Sequence, residues 1–226
     1  MDMHHRTCSA ESVRPLLVLA DVETSQRAGR TVAETLHRAL SGQHYPEVMV
    51  VLRNKSEHPN ESDLPLDVIS ALCKQSEVRV LGHSHCHLNS PEPLNGMHFA
   101  SGHPLDLLRT TRKRFSFQGR SCHITDAPET FTAQLCDYVT LSPIFRPTSK
   151  PTDRRDTLGL SSTAQWVHNC MVPVFALGGM QPHHYGQSIE AGFSGIAVLG
   201  GIMGAQDPAH ALQSYVKVIR QLKGRG

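Results

Sequence analysis

The sequence lacks the features that would direct it to a membrane or to nucleic acid. No apolar run in its 226 residues approaches the length needed to span a bilayer. Its net charge is only +2, so bulk electrostatics give no reason to expect nucleic acid or an anionic membrane as a partner. Residues 1–12 are polar and contain no apolar segment of the signal-peptide kind. A cytoplasmic protein with a flexible N-terminal tail over residues 1–12 is therefore expected.

Internal repeats, low-complexity tracts and linkers are absent too, and the six cysteines form no CxxC pair. Cysteines scattered in this way through a chain of this size are typical of reduced thiols, not of a disulfide framework. The composition, 39% hydrophobic and 19% charged, is that of a globular protein. The length suits one large core but is short for two α/β domains, so residues 13–226 are predicted to form a single domain.

Short apolar segments of strand length alternate with helix-like segments along the whole chain. The eight strand candidates are residues 16–22, 48–53, 78–82, 97–100, 115–122, 138–142, 172–177 and 195–199. The helix candidates are residues 31–40, 66–73, 128–136, 161–169, 182–191 and 208–222, while the connection after strand four is short and basic. This alternation predicts an α/β fold, a (β/α)8 TIM barrel. A doubly wound open sheet is the alternative, because periodicity cannot show closure.

Two glycine pairs near the end of the chain carry the clearest functional signal. Gly178-Gly179 ends the seventh strand candidate, Leu199-Gly200-Gly201 ends the eighth, and a helix signal follows each. Glycines directly after a buried parallel strand let backbone N–H groups approach a ligand closely. Barrels bind a phosphate with the loops after strands seven and eight. These five residues are therefore predicted to form a phosphate site.

Three further strand ends carry polar groups that a barrel would bring to the same end. Arg53 and Lys55 follow strand two and together could hold an anion, with a solvated basic loop as an equal alternative. His123 follows strand five and could move protons near neutral pH, although most histidines have packing or capping roles. The loop after strand six suits phosphate binding, or is an ordinary polar loop. Its candidate ligands are Thr148, Ser149 and Lys150.

Several segments in their order along the chain resemble one known family. They are residues 137–145, 148–150, 175–179 and 195–199, together with the Arg-x-Lys of Arg53 and Lys55. The resemblance is to thiamine phosphate synthases and thiazole tautomerases, and it covers nearly the whole chain. It implies a (β/α)8 barrel that forms a homodimer and binds a thiazole phosphate. The family's synthases join that thiazole to a pyrimidine diphosphate with Mg²⁺ and release pyrophosphate, whereas its tautomerases shift a proton on the thiazole without a metal.

The chain departs from the synthase pattern where that pattern places metal ligands. His83-Ser84 stands where synthases have Asn-Asp, and Ser101-Gly102-His103 stands where they have an aspartate. Mg²⁺ prefers hard oxygen ligands to imidazole. Conversely, residues 119–123 (GRSCH) resemble the tautomerase motif whose histidine is the catalytic acid/base. The resemblance therefore favours a tautomerase-type isomerase with His123 as acid/base and no cofactor. A synthase, with Mg²⁺ if that activity is retained, is the alternative.

The sequence leaves two other functions open. His83, His85 and His87 share one side of an extended chain, as three ligands of a metal-dependent hydrolase would. No carboxylate stands nearby to complete such a site, so exposed loop histidines are favoured and no metal site is predicted. A non-catalytic barrel that binds a phosphorylated ligand or regulates a partner is the last alternative.

Overall fold

The protein is a closed eight-stranded barrel. A computed structural model of the chain describes residues 13–56, 60–84, 86, 93–146 and 156–224. In these residues eight parallel strands pair in chain order, and the last pairs with the first. The strands are β1 (Leu16–Asp21), β2 (Val48–Arg53), β3 (Arg79–His83), β4 (Gly96–Phe99), β5 (Gln118–Cys122), β6 (Tyr138–Leu141), β7 (Val174–Leu177) and β8 (Gly195–Val198). Closure confirms the predicted barrel and rules out the open sheet.

Helices follow β1, β2, β4, β6, β7 and β8 and pack on the outside of the barrel. The described residues contain α1 (Val22–Arg27), α2 (Val32–Leu40), α3 (Leu66–Gln75), α4 (Leu105–Thr111), α5 (Ala164–Asn169), α6 (His184–Glu190), α7 (Gly200–Met203) and α8 (Pro208–Lys223). Local sequence explains their starts. Thr31 and Glu34 form a reciprocal capping box at α2, and Asp207 caps α8 with Pro208 in its first turn.

Two apolar clusters lie on opposite faces of the strands. The smaller one fills the barrel interior and contains Leu17, Leu19, Met49, Val51, Leu81, Phe117, Tyr138, Phe175 and Ala197. The larger one lies between the strands and the helices and includes Val18, Val50, Leu36 and Ile69. Strand residues are therefore buried on both sides of the sheet. This explains why the strand segments are continuous apolar runs without polar alternation.

The helix predicted over residues 128–136 is wrong. Only Pro128–Thr130 forms a single 3-10 turn, and Phe131 leaves it with extended backbone. Threonine and phenylalanine are poor helix formers, and they occupy positions 130–132. The Phe131 side chain is instead buried beside the ring of Trp166 on α5, with 6.1 Å between ring centroids. Packing of this aromatic pair replaces the helix.

Three helices have no counterpart in the sequence-based prediction. The first, α1, begins directly after β1, because Asp21 Oδ2 accepts a hydrogen bond from the backbone N–H of Thr24 at 3.2 Å. The second, α4, lies in the segment that was expected to be short and basic, and it buries Leu108 while Arg109 stays exposed. The third, α7, is a single turn formed by the glycine pair after β8.

The structure tests the expectations of reduced cysteines and of no membrane-spanning segment. All five cysteines of the described residues have free thiols, as their spacing predicts. Within the same ranges no helix is both long and apolar enough to cross a bilayer. Residues 1–12, the predicted tail, lie outside the described residues.

Candidate functional site

The carboxyl ends of the eight strands meet at one end of the barrel, here termed the mouth. Asp21, Arg53 and His83 are the last residues of β1, β2 and β3. The glycine pairs follow β7 and β8 at the same end. In TIM-barrel enzymes chemistry is located at this end. The fold thus gathers the candidate residues that follow strands two, five, seven and eight.

The pair after β7 needs glycine at both positions. Gly178 and Gly179 have φ angles of +103° and +61°, in the left-handed region that side chains rarely adopt. A Cβ on Gly179 would lie 2.6 Å from the carbonyl oxygen of Arg146 and 2.8 Å from Cβ of Phe145. The loop after β7 is therefore packed against the loop after β6, and its shape depends on the missing side chains.

The pair after β8 forms the start of α7. Gly200 and Gly201 are its first two residues, and Leu199 precedes them as the helix cap. A Cβ on Gly201 would lie 2.5 Å from the hydroxyl of Tyr215 on α8, so a side chain there would displace α8 or the turn. All three residues are partly exposed at the mouth.

Both glycine pairs present unused backbone donors. In the described part of the chain, no backbone hydrogen bond is donated by the N–H groups of Gly178, Gly179, Gly200 or Gly201. Groups of N–H donors after neighbouring strands can bind an anion. The two glycine pairs and Leu199 follow the paired strands β7 and β8, so their placement is compatible with the predicted phosphate site, which stays a prediction.

Arg53 has a partner that the sequence analysis missed. Its Nη1 donates to Asp21 Oδ1 at 2.6 Å, and the two side chains are only 11% and 4% exposed. The other carboxylate oxygen of Asp21 accepts from the hydroxyl of Thr24 at 2.8 Å. Because a buried carboxylate already balances its charge, Arg53 can offer an anion only the N–H groups outside this ion pair, and anion binding by Arg53 and Lys55 stays a prediction. Lys55 lies two residues farther along and is exposed.

His123 lies exposed directly after β5. Its Nε2 is 3.1 Å from the hydroxyl oxygen of Ser101, which follows β4. Its backbone N–H donates to Asp126 Oδ2 at 2.8 Å, a hydrogen bond within the turn that does not involve the imidazole ring. The imidazole is therefore in reach of a ligand at the mouth, as a general acid/base must be.

The loop that carries Ser101 is held in place by Arg120. This side chain is 6% exposed and donates to the carbonyl oxygens of Ser101 and His103, each at 2.6 Å. Arg120 lies on β5, His123 follows the last residue of that strand, and Ser101 lies in the loop after the neighbouring strand β4. The guanidinium thereby fixes the distance between the loop after β4 and the imidazole that follows β5.

A buried polar chain inside the mouth was not recognised from the sequence. His98 on β4 is 1% exposed; its Nδ1 lies 2.9 Å from the hydroxyl of Tyr138, and its Nε2 lies 2.9 Å from the hydroxyl of Ser121. Thr140 donates a longer bond of 3.4 Å to the same oxygen of Ser121. Burial lowers the pKa of His98 to about 3, so the ring is neutral at physiological pH. Alternation along β4 is the signal that could have placed His98 inside the barrel.

The remaining candidates are placed only in part. His83 ends β3 and is 4% exposed, with its ring centroid 5.5 Å from that of His98, so it is not an exposed loop histidine. His85 and His87 lie outside the described residues. Among the described residues no group of three His, Cys, Asp or Glu side chains is placed to hold a metal. The candidates after strand six also lie outside the described residues, namely Thr148, Ser149 and Lys150.

Comparison with known sequences points to one family. A family model described as thiamine monophosphate synthase matches residues 18–202. The thiamine-phosphate synthase of Natronomonas pharaonis is 26% identical over 194 residues, which are 85% of this chain and 89% of that protein. The thiamine-phosphate synthase of Halalkalibacterium halodurans is 25% identical over 174 residues, 76% of this chain and 82% of the relative.

A comparison with solved structures shows the same barrel. A thiamine phosphate pyrophosphorylase from Pyrococcus furiosus superposes with a TM-score of 0.67 and 15% identity, covering 94% of this chain and 98% of that one. At this identity the similarity establishes the fold alone.

Proposed function

Because the chain belongs to the thiamine monophosphate synthase family, we propose that it joins a thiazole phosphate to a pyrimidine diphosphate and releases pyrophosphate. The observation that carries the proposal is the family match over residues 18–202. Relatives that align with most of the chain are named thiamine-phosphate synthases. The sequence-based preference for a tautomerase has no support in these comparisons, which favour the synthase alternative.

In this proposal the glycine pairs bind the thiazole phosphate. The N–H groups of Gly178, Gly179, Gly200 and Gly201 donate to its oxygens, and Leu199 sets the direction of the turn that presents the last two. The hydroxyls and the ammonium predicted after strand six add to the same ligand. They belong to Thr148, Ser149 and Lys150.

The opposite side of the mouth receives the diphosphate. As the carbon–oxygen bond to the diphosphate breaks, its electron pair leaves with the diphosphate, and nearby positive charge stabilises that leaving group. Lys55 adds positive charge from an exposed position beyond the end of β2. Arg53 contributes through the N–H groups that its ion pair with Asp21 does not use.

Magnesium, which the family's synthases use, does not fit the donors at the described mouth. Arg53 and Thr24 already occupy the oxygens of Asp21 at the end of β1, and Asp126 after β5 accepts from the backbone N–H of His123. The matching positions after β3 and β4 carry imidazoles and hydroxyls, in His83-Ser84 and Ser101-Gly102-His103. These are poor donors for an ion that prefers several carboxylate oxygens. The reaction steps above are therefore assigned to the chain's own side chains.

The expected result is slow synthesis without a tight metal site. We expect pyrophosphate release below about 1 s⁻¹, the lower end of typical turnover, in a coupled assay that contains both substrates. Release should vanish when either substrate is omitted. Titration of the ligand-free protein with Mg²⁺ should show no saturable site below about 1 mM, because the described residues contain no group of three His, Cys, Asp or Glu side chains placed to hold a metal. Stoichiometric micromolar Mg²⁺ binding would contradict this assignment.

One observation keeps thiazole tautomerisation as a second candidate. His123 is exposed at the mouth and touches Ser101, in the motif that resembles the tautomerases. A single imidazole can remove a proton from a ring carbon and return one to a neighbouring position. If neither reaction occurs, a barrel that only binds a phosphorylated ligand is the remaining function. The homodimer implied by the resemblance also stays a prediction, which light scattering would test.

His123→Gln tests the second candidate. The glutamine keeps polarity and approximate size but cannot exchange protons, so isomerisation of the thiazole phosphate should fall by about 10²–10⁴-fold. Binding of the same ligand should stay near the wild-type value. Proton NMR of the ligand measures isomerisation, and His168→Gln, on an exposed position of α5, is the matched control. A wild type that isomerises no faster than His123→Gln would remove His123 as the acid/base.

A further inference from the structure

Gly119 on β5 leaves room in the barrel interior for a side chain of β6 to contact a side chain of β4. Gly119 pairs with His98 of β4 on one side and with Tyr138 of β6 on the other. A Cβ on Gly119 would lie 2.0 Å from Cζ of Tyr138, so the tyrosine ring occupies the space above the glycine. The phenol thereby reaches across β5 to the imidazole of His98, with 2.9 Å between its oxygen and Nδ1.

The hydrogen bonds of His98 select one tautomer. The ring is neutral, so one nitrogen donates and the other accepts. Tyr138 is fully buried, burial raises its pKa, and in the described residues its hydroxyl contacts only Nδ1 of His98. If Nδ1 carried the proton, the tyrosine O–H would be left buried without an acceptor, which is costly. The tyrosine therefore donates to Nδ1, and the proton of the imidazole is on Nε2.

This tautomer fixes the direction of the Ser121 hydroxyl. Nε2–H of His98 donates to Ser121 Oγ at 2.9 Å, and Thr140 donates to the same oxygen at 3.4 Å. Because His98 is the donor in this contact, Ser121 cannot give its own proton to the imidazole, and the contact with Thr140 is longer than an ordinary O–H···O hydrogen bond. The proton of Ser121 is then left for an acceptor outside the network. Ser121 is partly exposed at the mouth, whereas His98, Tyr138 and Thr140 are buried.

We propose that His98 is a positioning residue, which Tyr138 locks in the Nε2–H tautomer so that Ser121 can only donate its hydroxyl proton to a phosphoryl oxygen of a ligand at the mouth. The residue touches no ligand itself and acts through Ser121. The part of this inference that concerns ligand binding by Ser121 rests on the proposed function, since a phosphorylated molecule must enter the mouth. The part that concerns the tautomer of His98 depends on the structure alone.

The tautomer is tested on the ligand-free protein. Long-range ¹H–¹⁵N correlation spectra distinguish Nε2–H from Nδ1–H rings, and the signals of His98 are those lost in His98→Gln. We expect Nε2–H between pH 6 and 8 without titration, and a change of tautomer or mixed tautomers in Tyr138→Phe. An Nδ1–H ring in the wild type would overturn the inference, whatever activity the protein has.

The hydrogen bond from Ser121 to a ligand is tested by calorimetry with two probes, thiazole phosphate and inorganic pyrophosphate. Ser121→Ala should weaken the probe whose oxygen it contacts by about tenfold or more, the size expected for a hydrogen bond to a charged group. His98→Asn, whose amide overlaps Nδ1, loses the donor to Ser121 and should weaken the same probe. His98→Gln places an amide N–H near the position of Nε2 and should rescue most of the affinity.

The outcomes separate this inference from the proposed function. An Nε2–H ring together with equal affinities in wild type, Ser121→Ala and His98→Asn would overturn the positioning role. A wild type that binds neither probe would overturn the proposed function and, with it, the proposed hydrogen bond from Ser121 to a ligand. Comparable melting temperatures establish that the variants are folded. If a variant does not fold, the tautomer of His98 in the wild type still tests the inference.

Discussion

Gly179→Asp is expected to weaken thiazole phosphate binding by at least about 100-fold. The substitution places a carboxylate among the N–H groups that face the proposed phosphate. Two like charges about 5 Å apart repel by about 3 kcal/mol at an effective dielectric constant of 20, and each 1.4 kcal/mol changes affinity tenfold. Its Cβ would also lie 2.6 Å from the carbonyl oxygen of Arg146, which adds steric cost. Isothermal titration calorimetry measures the loss.

Gly179→Ala is the matched control for this substitution. Alanine adds the same Cβ at a φ of +61° but no charge, so it carries the strain and the steric contact alone. We expect it to bind thiazole phosphate at least about tenfold more tightly than Gly179→Asp. Equal affinities in two variants that both unfold cooperatively would mean that no anion binds beside Gly179.

The second large effect concerns the ion pair between Arg53 and Asp21. Arg53→Met should lower the free energy of unfolding by about 3–5 kcal/mol, because it leaves a buried carboxylate without its cation. The Asp21 side chain is 4% exposed and cannot recover solvation without local opening. Urea denaturation followed by circular dichroism measures the change.

An exposed ion pair of the same chain provides the control. Arg27 and Glu23 on α1 are 2.9 Å apart with side chains 51% and 67% exposed, so Arg27→Met should cost less than about 1 kcal/mol. The double variant Asp21→Asn/Arg53→Met should be more stable than Arg53→Met alone, because it removes the uncompensated charge. If Arg53→Met costs no more than Arg27→Met, the buried pair does not stabilise the barrel.

Much of the fold was predictable because strand ends coincide with changes in polarity. β2 spans the predicted residues 48–53, where an apolar run ends at a charged side chain. Closure was not predictable, since pairing of β1 with β8 depends on contacts between distant segments. The helix that failed, over residues 128–136, had a good start signal. Its apolar residue Phe131 gains more by packing on Trp166 than by continuing a helix.

The candidate site also has features that could be predicted from the sequence and features that could not. The positions of the glycine pairs could be predicted, because glycine after a buried strand indicates close approach of the backbone, and at Gly178 and Gly179 it also indicates left-handed backbone. The partner of Arg53 could not, because Asp21 is 32 residues away and only the register of β1 and β2 places them side by side. The polar chain through His98 was missed for the same reason: Tyr138 is 40 residues away from it and reaches it across Gly119.

Mass spectrometry of a reaction containing thiazole phosphate and pyrimidine diphosphate tests the central claim most directly. We expect one product with the mass of the joined thiazole and pyrimidine, formed together with an equal amount of pyrophosphate. The product should be absent when either substrate is left out and should be greatly reduced with Gly179→Asp. A folded wild type that binds thiazole phosphate, yet yields no joined product with or without Mg²⁺, would contradict the claim.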